Sequence, residues 1–499
     1  MTGVGLRLRS ARGRWVLVGA IAGSSLAMLD GSVVNVVLAP ISAELDVGFT
    51  GLQWITNAYT LSLAALILIG GVLGDRWGRR RIFLIGTAWF ALASLICAAS
   101  VDESMLIAAR ALQGIGAALL TPGSLAIISA SFDPEDRGRA IGAWSGLAGV
   151  ATAVAPFLGG WLADISWRLV FVINLPLAAV VIWIGVRHMP ESHDESAAGR
   201  RLDLRGAALV VIMLAALTWG LTEAGHGWSP PVIGALLVGC AAGVAFVLVE
   251  RRVRDPLVRL GLFADRVFAV TNTVTLFMYG ALSLYFLLVV LQLQLVTGWS
   301  PLAAGVAGLP VTILMLLLSA RFGALSERVG PRLLMTIGTL LAAGGFLLGL
   351  RIGPDASYLT DVLPAAILLG LGLSTAVAPL TAAALGAAPA EHAGAASGIN
   401  NAIARSAGLL AVAVVPVAAG LSGVAPGDSA GFAAGYRPAM IIGAALLVVG
   451  AAVSWFGLGR RPAVEPADEL VPVHRLNHCP LESPAGHPGG TDASTRSRP

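Results

Sequence analysis

The sequence predicts an all-α polytopic membrane protein of fourteen transmembrane helices, built as two six-helix halves with two further helices inserted between them. Three observations lead there. Of 499 residues, 57% are hydrophobic and 12% charged, with mean hydropathy +0.83; soluble domains run at about 45–50% apolar and about 25% charged. All 32 basic residues are arginine, and they gather between apolar runs, where membrane topology places them. A basic stretch, Gly71-Val-Leu-Gly-Asp75-Arg76-Trp-Gly78-Arg79-Arg80-Arg81, returns in outline as Gly323-Ala-Leu-Ser-Glu327-Arg328-Val-Gly330-Pro331-Arg332. The chain reads as duplicated about this turn.

Residues 1–14 form a basic arm with Arg7, Arg9, Arg12 and Arg14. The apolar run that follows, 15–40, is too long for a signal-peptide core and reads as a retained first span. Hydropathy then gives spans near 52–73, 82–100, 105–128, 138–163, 168–187, 204–222, 231–250, 266–296, 302–325, 332–351, 359–386, 394–421 and 438–457. At 1.5 Å per residue each reaches across about 30 Å of hydrocarbon. With the amino terminus inside, only Arg168, Arg351 and Arg437 fall at outer ends. Both termini are therefore expected in the cytoplasm.

A second echo supports the duplication: Glu135-Asp-Arg-Gly138 opens span 5 and Glu391-His-Ala-Gly394 opens span 13. The expected organisation is a six-helix half over 15–187, a loop over 188–203 and the inserted pair over 204–250. A loop over 251–265, a second six-helix half over 266–457 and a disordered tail over 458–499 complete it. Parallel halves of this kind are a transporter architecture, with the binding site between them near mid-membrane.

Several classes drop out. Cys97, Cys240 and Cys479 are far apart and give neither a disulfide framework nor a metal site. Without lysine there is no phosphate-binding Gly-Lys-Ser/Thr loop, and no His-Glu-x-x-His is present. An enzyme reading lacks a nucleophile–base pair to stand on. The positive balance needs no nucleic-acid partner, and no cofactor is expected.

The polar residues inside the spans are few. Asp30 lies near the middle of span 1, where insertion costs a carboxylate about 2.5–3.5 kcal/mol, so such acids usually face a wet cavity. There it can alternate between holding a proton and facing a cation; a structural pairing with a neighbouring helix is the alternative. Asn35 lies about 140° further round an ideal helix, so Asp30 is assigned to the cavity and Asn35 to helix contacts. Span 4 carries Arg110, Gln113, Gly114 and Ala117 on one face, and Arg110 needs a buried partner or water. Span 5 carries Gly146, Gly149, Ala153, Ala155, Pro156, Gly159 and Gly160, which let backbones approach. In the second half, Tyr285 and Gln292 share a face of span 9 with Gln294 on another, and Asn401 and Arg405 share a face of span 13. Cavity lining and interhelix hydrogen bonding both suit them, and Arg405 ranks highest because its charge is hardest to hide. Glu223 and His226 at the outer end of span 7 suit a solvated interface.

Taken in order, these stretches resemble the major facilitator superfamily, and within it the fourteen-span drug–proton antiporter branch, the QacA/EmrB-like proteins. The resemblance covers residues 15–457 and rests on the repeated turn, on Leu29-Asp30-Gly-Ser-Val-Val-Asn35 through Pro40, on Gln53-Trp54 through Tyr59, and on Trp167-Arg168…Phe171…Asn174-Leu-Pro176. It implies a role in proton coupling for Arg110, alongside Asp30. The expected substrate cavity draws on Gln53, Asn57, Tyr59, Gln113, Tyr285, Gln292, Asn401 and Arg405. A cytoplasmic gate is implied at Gly71, Asp75, Arg76, Gly78, Arg79 and Arg80, with Glu327 and Arg328 as its weaker echo. The antiporter motif on span 5, Gly-Pro-x-x-Gly-Gly, is matched at Pro156, Gly159 and Gly160, with Ala155 in place of the first glycine.

The expected function is proton-driven efflux of amphipathic, often cationic, small molecules. The alternatives are a proton-linked importer or a dedicated exporter of one metabolite. The expected partners are substrate, protons and lipid, the protein acting as a monomer in a bacterial plasma membrane.

Overall fold

The computed structural model describes residues 6–193, 203–389 and 393–459. Most of the loop over 188–203, the Glu391 echo and nearly all of the 458–499 tail lie outside the described residues, as do the surroundings of Gly146, Gly149 and Ala153. Sixteen α-helices follow one another: α1 (Ala11–Leu45), α2 (Phe49–Trp77), α3 (Arg79–Ala98), α4 (Glu103–Ser131), α5 (Pro134–Ile165), α6 (Leu169–Val172), α7 (Asn174–His188), α8 (Leu204–Glu223), α9 (Pro230–Glu250), α10 (Arg266–Leu295), α11 (Pro301–Ala307), α12 (Leu309–Val329), α13 (Pro331–Gly349), α14 (Leu363–Gly386), α15 (Ala393–Ala418) and α16 (Ser429–Gly457). Pairing α6 with α7 and α11 with α12 gives fourteen crossings. Thirteen satisfy both length and apolarity; α5, at 32 residues, is the other. Each paired span breaks just ahead of a proline, Pro176 or Pro310, which has no N–H to give the preceding turn.

The helices reach further than hydropathy alone indicates. Ser10 starts α1 by accepting from the Gly13 N–H at 3.0 Å. The arm before it is tied down rather than free: Leu6 N–H donates to Ser131 O (2.8 Å) and Leu8 N–H to Asp136 Oδ2 (2.8 Å). The largest difference is at the repeated turn. Apart from one residue, 71–81 is helix: α2 runs to Trp77, α3 starts at Arg79, and Gly78 alone sits between them at φ 108°. Gly330 does the same between α12 and α13 at φ 83°. Both glycines occupy backbone that side-chain-bearing residues rarely adopt, which accounts for their fixed spacing.

In the first half α2, α3 and α4 pack closely, and Gly70 lets α2 touch α4: a Cβ there would lie 2.1 Å from Ala118 O. The close approach therefore falls on Gly70, while at Gly71 a Cβ would meet Pro122 at an ordinary 3.7 Å. The second half is filled by Phe346, Phe432 and Tyr436, all fully buried. The inserted helices α8 and α9 pack on each other and, through α8, on α2 and α15. They leave Leu237, Val238 and Val244 exposed, as lipid-facing residues are.

The halves meet firmly at the end opposite the two turns. There Gln53 Nε2 donates to Val412 O (2.7 Å), Gln294 Nε2 to Val36 O (2.9 Å) and Thr50 Oγ1 to Ser422 O (2.9 Å). Phe49 lies 5.8 Å from Phe432, ring to ring. The small residues of α5 serve this same contact: a Cβ on Gly160 would fall 2.5 Å from Leu302 of α11, and one on Gly305 2.5 Å from Pro156 O. Gly159 performs the equivalent service against Val33 of α1.

Candidate functional site

Helix α4 carries the centre of the site. Its start is fixed by Asp102, which accepts from the Met105 N–H at 2.8 Å; hydrogen bonds from Ser104 and Met105 hold the Asp102 carboxyl below its ordinary range. Further along, Arg110 and Gln113 point inward one turn apart. Arg110 and Asp30 of α1 are each 1% exposed. Arg110 Nη1 donates to Asp30 Oδ2 at 2.5 Å, and its Nε donates to Ile55 O at 3.3 Å. The guanidinium lies 4.3 Å over the Tyr59 ring and 5.9 Å from Phe171.

The other carboxylate oxygen is also satisfied. Asp30 Oδ1 accepts from Gln113 Nε2 (2.7 Å) and Asn174 Nδ2 (3.2 Å). Both amides donate again to Ser94 Oγ, at 2.8 and 3.3 Å, and the Cys97 thiol donates to Gln113 Oε1 at 3.7 Å. Five helices, α1, α2, α3, α4 and α7, thus enclose one carboxylate–guanidinium pair. Attraction inside the protein offsets the desolvation of such a pair only when surrounding hydrogen bonds complete it, as they do here. Chemically the arrangement can hold a charge pair, and uptake of a proton by Asp30 would dissolve it.

The assignment of Asp30 to a wet cavity is not met in this conformation, because Asn174, Gln113 and Arg110 cover it. Asn35 is half-buried. Asn174 was visible only as part of the Trp167–Pro176 pattern, and Ser94 and Cys97 carried no signal, being single small residues in an apolar run.

The expected cavity residues divide. On α2, Tyr59 joins the network and donates to Ala27 O (3.2 Å), whereas Gln53 spans the contact between halves. Asn57 is buried with its amide nitrogen unpaired among the described residues. Tyr285 and Gln292 do not line an opening. Tyr285 packs 5.1 Å from Phe346 inside the second half, and Gln292 Nε2 donates to Ile352 O at 2.9 Å. On α15 the residue holding the helix to α10 is Asn400, donating to Asn272 (3.0 Å) and Thr275 (2.9 Å); Asn401 is exposed. Arg405 is half-buried near the middle of α15.

At the first turn Arg79 at the start of α3 pairs with Asp75 near the end of α2 (2.8 Å). The segment after α7 closes over the turn: Arg79 N–H donates to Ser192 O (2.8 Å), Arg80 N–H to Glu191 Oε1 (3.0 Å) and Arg80 Nη1 to Met189 O (3.1 Å). Glu191 so supplies the acceptor that the start of α3 otherwise lacks. Among the described residues these hydrogen bonds stay within the first half, and Arg76, Glu327 and Arg328 are exposed. At the second turn Arg332 lies 4.2 Å over Trp455.

Fourteen crossings in two halves, with a charged pair sealed into one of them, narrow the families that fit, and the sequence pattern of the Major Facilitator Superfamily matches residues 20–413. The chain belongs to the Major Facilitator Superfamily. It is a multi-pass membrane transporter. Among curated members it is 38% identical to the puromycin resistance protein pur8 of Streptomyces alboniger, over 80% of this chain and 80% of that one. It is 36% identical to the multidrug resistance protein Stp of Mycobacterium tuberculosis, over 76% and 71%. It is 33% identical to the tetracenomycin C resistance and export protein of Streptomyces glaucescens, over 80% and 75%. The superfamily fold is also that of a crystallised bacterial homologue of the human lysosomal transporter Spinster, with TM-score 0.65 at 17% identity, covering 90% of this chain and 97% of that one.

Proposed function

We propose that the protein is a proton-driven exporter of amphipathic small molecules, working as a monomer by alternating access in a bacterial plasma membrane. The observation that carries this reading is the sealed Asp30–Arg110 pair, since a charge kept inside a span at such cost serves transport more often than packing. The direction is supported by relatives named for resistance and export. The positive-inside rule puts the arginine-rich turns and both termini in the cytoplasm. The hydrogen-bonded contact between the halves then lies on the outer side, leaving the site to be loaded from the cytoplasm or inner leaflet.

A proton reaching Asp30 cancels the charge that Arg110 faces. Arg110 keeps Ile55 O, Gln113 and the Tyr59 ring, and the ion pair between α1 and α4 is lost. Loss of the proton to the cytoplasm restores the pair. Each charge moved down 100 mV supplies about 2.3 kcal/mol, and no cofactor enters the cycle.

Everted membrane vesicles test this. Acidifying their interior should drive uptake of dansylamide, and collapsing the gradient should release it. Asp30→Asn should slow that uptake about tenfold or more, the rate equivalent of losing most of one proton's driving energy. Uptake at the normal rate and pH dependence in Asp30→Asn would sink the coupling role, and accumulation in right-side-out vesicles would mean import.

A further inference from the structure

Two acids lie buried at the arginine-rich end of the inserted pair, and the cycle proposed above makes no use of them. Asp203 caps α8 and is 8% exposed; Glu250 ends α9 and is 4% exposed. One oxygen of each is satisfied by backbone. Asp203 Oδ1 accepts from Gly206 N–H (2.8 Å), and Glu250 Oε2 accepts from Val258 N–H (3.0 Å). The other two oxygens, Asp203 Oδ2 and Glu250 Oε1, are buried without a hydrogen-bond partner. They converge on one point: a Cβ on Gly206 would lie 2.5 Å from each, so they stand within twice that distance of one another. Glycine at 206 leaves that space open.

Among the described residues no ion pair reaches either acid. Arg205, Arg251, Arg252 and Arg254 are exposed, and Asp255 and Arg259 are half-buried farther along the connector to α10. Two carboxylates this close, both out of water, cannot both stay ionised. Two acceptors facing each other also leave both buried oxygens unpaired. One proton removes both faults. Placed on Glu250 Oε1, it donates to Asp203 Oδ2, cancels one charge and pairs both free oxygens.

We infer that Glu250 is a second proton-binding site, apart from Asp30, whose proton latches the start of α8 to the end of α9 through Asp203. The latch stands where the chain passes between its parts. The connector held at Val258 runs from α9 to α10, the first helix of the second half. Loss of the proton sets two negative charges against each other at that joint, so alkaline pH loosens it. Above the ordinary glutamate pKa of about 4.3, the folded chain holds a proton that the unfolded chain has lost. Stability therefore falls as pH rises, until the latch proton leaves. None of this depends on the direction of transport or on Asp30.

The test uses the purified full-length protein. Infrared difference spectra between about pH 6 and about pH 9, where ordinary carboxyls stay ionised, should show loss of a protonated-carboxyl band. That band should be missing from Glu250→Gln and from Asp203→Asn, whereas any contribution from Asp30 is common to all three and cancels. In denaturation from mixed micelles, the wild-type unfolding constant should rise by up to about tenfold per pH unit as the latch titrates. Each single variant should lose that component, because its new amide donates to the remaining carboxylate. The double variant Asp203→Asn, Glu250→Gln sets two N–H₂ groups against each other. It should unfold about tenfold or more readily than either single variant. A band unchanged in both single variants overturns the proposal. So do single variants that each unfold about tenfold more readily than the wild type at about pH 9, the result expected if both acids serve as carboxylates. If Glu250→Gln fails to fold, Asp203→Asn carries both readouts; failure of both to fold overturns the proposal.

Discussion

The two halves share one plan and differ in what fills their centres. The first half is organised around a polar knot, with Asp30, Arg110, Gln113, Asn174 and Ser94 joined in one hydrogen-bonded set. At the spacing that carries Gly78 to Gly330, Ser94 falls on Phe346, which packs against Tyr285 in an aromatic, uncharged interior. The turns differ in the same sense. The first is held by Asp75, Glu191 and the backbone after α7, the second by Arg332 lying on Trp455. A hydrogen-bonded charge knot has two states, proton on and proton off, whereas a packed aromatic core has one. In the proposed cycle the switch lies in the first half, and the second half is its rigid partner, uncharged in its interior.

Removing charge from the first half tests that contrast at its strongest. Arg110→Ala leaves Asp30 buried without its counter-charge and should cost about 3–5 kcal/mol in denaturation from mixed micelles. The double variant Asp30→Asn, Arg110→Gln should recover much of that loss, because no unpaired charge remains. A single Arg110→Ala within 1 kcal/mol of wild type, the scale of a surface pair, would mean that the knot is not what holds α1 to α4.

The glycines sharpen the comparison at intermediate scale. Gly78→Ala meets both a disfavoured φ and the Glu191 carboxylate, 2.7 Å from a new Cβ, whereas Gly330→Ala meets open space. The first should cost about 1–3 kcal/mol and the second the lower end of that range. Equal costs would remove Glu191 from the account. The smallest effect belongs to the second turn: Arg332→Ala should cost about 0.5–1 kcal/mol, the low end for a cation–aromatic contact, with uptake rates unchanged.

Much of this was legible beforehand, and the reasons are specific. Hydropathy and arginine placement located every crossing because the cost of burying charge in lipid is paid residue by residue along the chain. The fixed spacing of Gly78 and Gly330 likewise reflects a local demand on φ. Helix ends were less visible: α16 starts at Ser429, behind an Asp428 cap, nine residues ahead of the hydropathy boundary. Which of the neighbouring glycines 70 and 71 meets α4 was not legible, since only the rotation of α2 against α4 distinguishes them.

For the site, the sequence by itself determined which residues were costly enough to matter: Asp30, Arg110 and Arg405 stand out because nothing else in their spans is charged. It also carried the repeat of Gly78 and its arginines at Gly330, since that spacing is covalent. Only the tertiary structure decided who meets whom. Residues 30, 94, 110, 113 and 174 lie on four helices, and spacing along a chain says nothing about the rotation and depth at which separate helices face each other. The same packing gave Asp30 its partners and left Arg405 half-buried on α15.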